Sequence, residues 1–134
     1  MSMAISTTLK TSFAQAVDRA RKALSDQGFG VLTEIDVTST LKQKLDEDVE
    51  DYLILGACNP PLAHRALSVD RQIGLLLPCN VVVRTDTDHP GSVLVEAMDP
   101  QIMVQVAEQP DLQPVADDAA TRLRAAIAAL TTSP

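Results

Sequence analysis

Ile73-Gly74-Leu75-Leu76-Leu77-Pro78-Cys79-Asn80-Val81-Val82-Val83-Arg84 is the longest strand pattern in the chain, and the turn and strand directly after it decide the fold. Thr85 to Gly91 has the Asp, His, Pro and Gly of a turn, and Ser92 to Met98 returns as a second strand. Such a hairpin joins antiparallel neighbours. The run 73–84 is apolar on both sides, with Leu75, Leu77, Val81 and Val83 on one and Leu76, Pro78 and Val82 on the other. A sheet with one wet face alternates apolar and polar residues. The second face is therefore expected to be covered, by a second copy of the chain or by its own terminal helix.

Strand and helix patterns alternate on either side of the hairpin. Met3, Ile5, Thr7 and Leu9 alternate with small residues as a strand does, and Thr11 or Ser12 can cap a helix whose buried face is Phe13, Val17, Ala20 and Leu24. Gly28 ends that helix. Phe29 to Asp36 reads as a strand, with Val31, Thr33 and Ile35 on one side and Leu32, Glu34 and Asp36 on the other. Thr38 or Ser39 starts a helix with Leu41, Leu45 and Val49 as its buried stripe. Tyr52 to Cys58 is a strand, and Asn59 caps a short helix with Pro60 in its first turn. Asp99-Pro100 starts a helix over Gln101 to Ala107. Val115 to Leu130 is the last helix, with Ala116, Ala120, Leu123, Ile127 and Leu130 inward. The fold class is α+β: a two-layer sandwich, mostly antiparallel sheet, with helices on one face. The 134 residues suffice for one domain, taken as 1–134.

Composition excludes several function classes. The net charge of -7 and the absence of a Lys/Arg cluster argue against nucleic acid and anionic membrane surfaces. With aromatic residues at only 2%, there is little for bases or sugars to stack on. No segment approaches the roughly 20 apolar residues of a membrane span, and no signal peptide is visible. Two cysteines without such a signal point to reduced thiols in a soluble, cytoplasmic protein. The acidic run Asp46-Glu47-Asp48-Val49-Glu50-Asp51 reads as a solvated helix end or loop.

The candidate site residues centre on Cys58, a thiol where a strand meets a helix N-terminus, a place that favours an anion. His64 lies on the following helix and pairs with Cys58 in a nucleophile–base reading. Cys79 and Asn80 repeat the Cys58-Asn59 dipeptide inside the long strand, where a buried Asn80 amide needs hydrogen-bond partners. Glu34 and Asp36 share one side of their strand and could hold a cation. A Cys₂His set with one carboxylate suits zinc. There is no Walker loop, nucleophile elbow, dinucleotide fingerprint or H-E-x-x-H.

Taken together the chain resembles the bacterial and archaeal domain-of-unknown-function family 302, from Thr11 to about Leu130. The residues that carry the likeness are Gly28-Phe29-Gly30-Val31-Leu32-Thr33-Glu34-Ile35-Asp36, Thr40-Leu41-Lys42-Gln43-Lys44-Leu45, Ile54-Leu55-Gly56-Ala57-Cys58-Asn59-Pro60, Ala63-His64-Arg65-Ala66-Leu67, Ile73 to Val83, and Ala97-Met98-Asp99-Pro100. The resemblance implies a two-layer fold related in shape to the saddle-like sheet of the TATA-binding protein, and a homodimer. It implies no established activity. The stretch Asp46 to Asp51 departs from many relatives, which are shorter there.

The sequence supports a homodimeric domain that binds a small molecule or a protein partner in a groove of Glu34, Asp36, Cys58, Asn59 and His64, without a catalytic set. A thiol-dependent sulfur or redox protein using Cys58 is the alternative, and a metal-binding domain the second alternative.

Overall fold

The hairpin forms the middle of the structure. The computed structural model describes residues 3–132, so residues 1–2 and 133–134 of the expected 1–134 span lie outside the described residues. Strands β1 (Ala4–Lys10), β2 (Gly30–Asp36), β3 (Tyr52–Cys58), β4 (Cys79–Thr85) and β5 (Ser92–Met98) make one sheet in the order β1-β5-β4-β3-β2. Every neighbouring pair is antiparallel. The helices are α1 (Phe13–Asp26), α2 (Val37–Leu45), α3 (Pro60–Val69), α4 (Gln101–Ala107) and α5 (Gln113–Thr132), with short 3₁₀ turns at Arg71–Leu76 and Pro110–Leu112.

One face of the sheet is dry. Leu53, Leu55 and Ala57 of β3, Val81 and Val83 of β4, and Val93, Val95 and Ala97 of β5 are buried there. They alternate along each strand, as a two-residue period requires. They meet Ala16, Ala20, Ala23 and Leu24 of α1 and Leu123, Ala126, Ile127 and Leu130 of α5. With so few aromatics, the core closes by close approach: alanine faces let α1 and α5 approach each other and the sheet. Fully burying one of these Leu or Val side chains contributes roughly 1.5–3 kcal/mol.

A second cluster lies beyond the sheet end. Leu62 and Ala66 of α3, Ile73, Met103 of α4, Leu112, and Val115 and Ala119 of α5 are buried together. Helix α5 belongs to both clusters and joins them.

Local chemistry sets the boundaries. Ser12 Oγ accepts from the Gln15 N–H at 3.2 Å and caps α1. At the other end Gly28 takes φ 84°, and the Phe29 N–H returns to the Leu24 carbonyl at 2.9 Å. Asp36 Oδ1 caps α2 by accepting from the Ser39 N–H at 2.9 Å.

Three expectations need correction. The run 73–84 is not one strand. Asp70 accepts from the Gln72 N–H and starts a 3₁₀ turn, and Pro78 has no N–H for a ladder, so β4 begins only at Cys79. Ile73 is then buried in the second cluster while Leu75 is 84% exposed. The apparent two-sided apolarity thus mixes two different elements. Strand β2 does not alternate simply either. Val31 faces Ala57 and Thr33 faces Gly56, so Leu32 is an extra residue in a bulge. Val31 packs on the core, and Thr33 and Ile35 point to the opposite face. Lastly, the stripe of α2 is not buried. No residue of α2 is, Leu45 stays 65% exposed, and Val49 lies beyond the helix end. Thr38 ties α2 to the start of β3 by donating to the Glu50 carbonyl at 2.6 Å and accepting from the Tyr52 N–H at 2.8 Å.

Candidate functional site

Two surfaces stand out: an apolar crevice behind Cys58 and the open face of the sheet.

The crevice lies where the two clusters meet. Phe29, Ala57, Cys58, Asn59 and Cys79 line it from the sheet side. Leu62, Ala63, Ala66, Met103, Val115 and Ala119 line it from α3, α4 and α5, and Leu77 and Pro78 close it. Its cavity volume is about 30 Å³. That is room for a water molecule or a single ion, far below the roughly 300 Å³ at which organic-ligand pockets begin.

Both cysteines line this crevice, at the adjoining ends of β3 and β4. Ala57 lies opposite Cys79 and Cys58 is the next residue on β3, so alternation turns Cys79 toward the core and Cys58 toward the other face of the sheet. Cys79 is buried and Cys58 half-buried, and both are free thiols. Burial pushes the Cys79 thiol up to about 11 from its ordinary 9.0, and Cys58 nearby adds to the rise. Cys79 thus keeps its proton at neutral pH and is a poor nucleophile.

The expected anion site at the start of α3 does not form. Asn59 Oδ1 accepts from the Leu62 N–H at 3.4 Å, and the Ala63 N–H goes to the Asn59 carbonyl at 2.9 Å. Pro60 and Pro61 have no N–H at all. Every donor of the first turn is spent or missing, so only the helix dipole remains there.

The other expected residues go elsewhere. Glu34 pairs with Arg21 of α1 across the inner side of the sheet edge. Asp36 caps α2. His64 is exposed on α3 and does not line the crevice, so the Cys58–His64 pair is not assembled there. Asn80 is exposed on the open face, and the expected buried amide is absent. Among the described residues no three His, Cys, Asp or Glu side chains come close enough to hold a metal ion, so the zinc set is scattered. Of the expected groove only Cys58 and Asn59 line the crevice, and Cys79, singled out separately, lines it with them. Met103 joins them without having been singled out from the sequence. No local pattern marks it, because its place depends on how α4 packs against α5 and the turn at Arg71–Leu76.

The open face is built from the residues that alternate with the core. Ile35 lies opposite Ile54, Ile54 opposite Val82, and Val82 opposite Glu96. Beside this row run Tyr52, Arg84 and Leu94. Ile54, Val82 and Leu94 are only half-buried, and Ile35 at the edge is 51% exposed. Leu32 in the bulge is 69% exposed. Arg84 Nε donates to Glu96 Oε1 at 2.6 Å, a short pair that neutralises the charge in the middle of the face.

The family model described as "Domain of unknown function DUF302" matches residues 5–130. This chain belongs to that family. A crystal structure of an uncharacterized conserved DUF302 protein from Bacillus stearothermophilus is similar over nearly its whole length. Its TM-score is 0.87 at 28% identity, over 96% of this chain and 98% of the other. No curated protein matches. The DUF302 match takes in β1 as well as the core expected from Thr11 onward, and the five-stranded antiparallel sheet with its helices is the expected α+β sandwich. Among the described residues no helix of this DUF302 domain is long and apolar enough to cross a membrane.

Proposed function

We propose that this DUF302 domain is a non-catalytic binding module that pairs with a second copy of itself through the open face of its sheet. The row Ile35, Ile54 and Val82 carries the reading. Three β-branched apolar side chains lie side by side on a face where one-sided antiparallel sheets place polar residues. A two-fold pairing brings the same row onto itself, and the neutralised Arg84–Glu96 pair can be covered without stranding a charge. Sedimentation velocity at micromolar concentration tests this. The expected species is twice 14.3 kDa, and Ile54→Glu reduces it to the monomer. A wild-type chain that sediments at 14.3 kDa overturns the reading.

The second reading is thiol chemistry at Cys58, favoured by one observation: this thiol is half-buried at the crevice while Cys79 is sealed. Intact mass after treatment with a polysulfide or peroxide shows an adduct on native Cys58 if it operates. A native chain that gains no mass rejects it.

A further inference from the structure

The open face sets one ion pair among its apolar side chains, and that pair is only partly satisfied within the chain. Arg84 and Glu96 are diagonal neighbours on β4 and β5: Val82 lies opposite Glu96, and Arg84 is two residues further along β4. Both side chains are half-buried. Arg84 Nε donates to Glu96 Oε1 at 2.6 Å. A guanidinium has five N–H donors and one carboxylate takes at most two of them, so the rest go to water while the face is open. Once the face is covered, they need acceptors. We propose that Arg84 and Glu96 are shared between two copies of the domain, each Arg84 meeting its own Glu96 and the partner's, and that this four-charge cluster makes the face select a second copy of this chain, a role that rests on self-pairing through the open face.

Strand register places the two-fold axis. Strands about 4.8 Å apart, with residues about 3.4 Å apart along each, lay the face out as a grid. On that grid the line that mirrors Arg84 onto Glu96 runs diagonally across β3, β4 and β5, and Ile54, Val82 and Leu94 all fall within about 1.5 Å of it. A two-fold along this line sets Arg84 over the partner's Glu96 on either side and stacks the three apolar residues about the axis. Packed sheets lie about 10 Å apart, a gap that an arginine and a glutamate reaching from opposite sheets can close. Strands of the two copies then cross at roughly 70°, nearer the orthogonal class of sheet packing than the aligned one.

Charge complementarity decides the occupant. Each copy presents one positive and one negative group on opposite sides of the axis, and the two-fold brings unlike onto unlike. A purely apolar partner would cover the spare Arg84 donors and offer them no acceptor. The net charge of -7 on each copy opposes pairing at a distance, and the shared cluster supplies attraction at contact.

The test makes Arg84→Glu and Glu96→Arg separately and then mixes them. Alone, each reversal gathers like charges about the axis and should be monomeric at micromolar concentration, where wild type is paired. Mixed in equal amounts, the two should form a one-to-one dimer, which native mass spectrometry separates from either homodimer by mass. Arg84→Glu/Glu96→Arg in one chain should pair as wild type does. Circular dichroism establishes that each variant is folded. Should a reversal not fold, Arg84→Gln and Glu96→Gln each remove one charge and should weaken pairing roughly tenfold or more. A folded reversal that pairs as tightly as wild type, a mixture that stays monomeric, or neutral variants of unchanged affinity overturn the shared pair. A monomeric wild type overturns the self-pairing and the shared pair with it. A wild-type dimer that Ile54→Glu dissociates and the reversals leave intact overturns the shared pair alone.

Discussion

Raising the pH should unlock the fold at Cys79. Below pH 9.0 both the folded and the unfolded chain hold the proton, and the thiol has no effect on stability. Between 9.0 and about 11 the unfolded chain releases the proton while the buried thiol keeps it. The unfolded state binds fewer protons over this window, so stability falls as pH rises. The interval of about two pH units, at 1.36 kcal/mol for each, corresponds to a loss of about 3 kcal/mol. Above about 11 both states are ionised and the loss levels off. Urea denaturation under reducing conditions, from neutral pH to 11, measures it. Cys79→Ala lacks this slope, so the difference between the two proteins isolates the thiol. Cys58→Ser should narrow the window from above, because Cys58 contributes to the rise. A difference between wild type and Cys79→Ala that stays constant from neutral pH to 11 refutes the argument.

Other substitutions test the packing. Leu123 is fully buried where α5 meets the sheet, and Leu123→Ala should cost roughly 2–5 kcal/mol in chemical denaturation. Gly56 lies beneath its neighbours: an added Cβ meets Thr33 Oγ1 at 2.0 Å and Pro78 Cγ at 2.9 Å. Gly56→Ala should therefore destabilise by roughly 1–3 kcal/mol, and Thr33→Ala in the same chain should recover part of it. Asn59→Ala removes the cap of α3 and should cost about 1 kcal/mol in the same assay, with α3 losing amide protection before the sheet does.

Much of the architecture was legible because its signals are local. Tyr52–Cys58, Ser92–Met98 and Gln101–Ala107 have the bounds that alternation, turn residues and Asp99-Pro100 indicate. Asn59 caps α3 as its position before Pro60 requires. Failures arose where a longer-range fact overrides a local pattern. Leu41 and Leu45 are spaced as a buried stripe, but spacing states only that a helix has an apolar side, not that anything covers it. Leu32 is invisible as a bulge until β2 is paired with β3. Glu34 and Asp36 do share a side, yet one answers Arg21 and the other caps α2, so their proximity in sequence makes no cation site. For the candidate site, Cys58 and Cys79 were legible singly. That they share a crevice with Met103 depends on the β3–β4 register and on where α4 comes to rest.

Helix α5 has a consequence for how the molecule opens. It is common to both hydrophobic clusters, while α3, α4 and the turn at Arg71–Leu76 belong to the second alone. Those three small elements can part from α5 as one unit without breaking a rung of the sheet, whereas the sheet cannot unfold without losing the wall that α5 provides. Hydrogen exchange should then show two tiers, with α3 and α4 exchanging ahead of β3, β4 and β5. The crevice lies on the seam between the tiers, so the easiest excursion of this protein is the one that uncovers the buried Cys79.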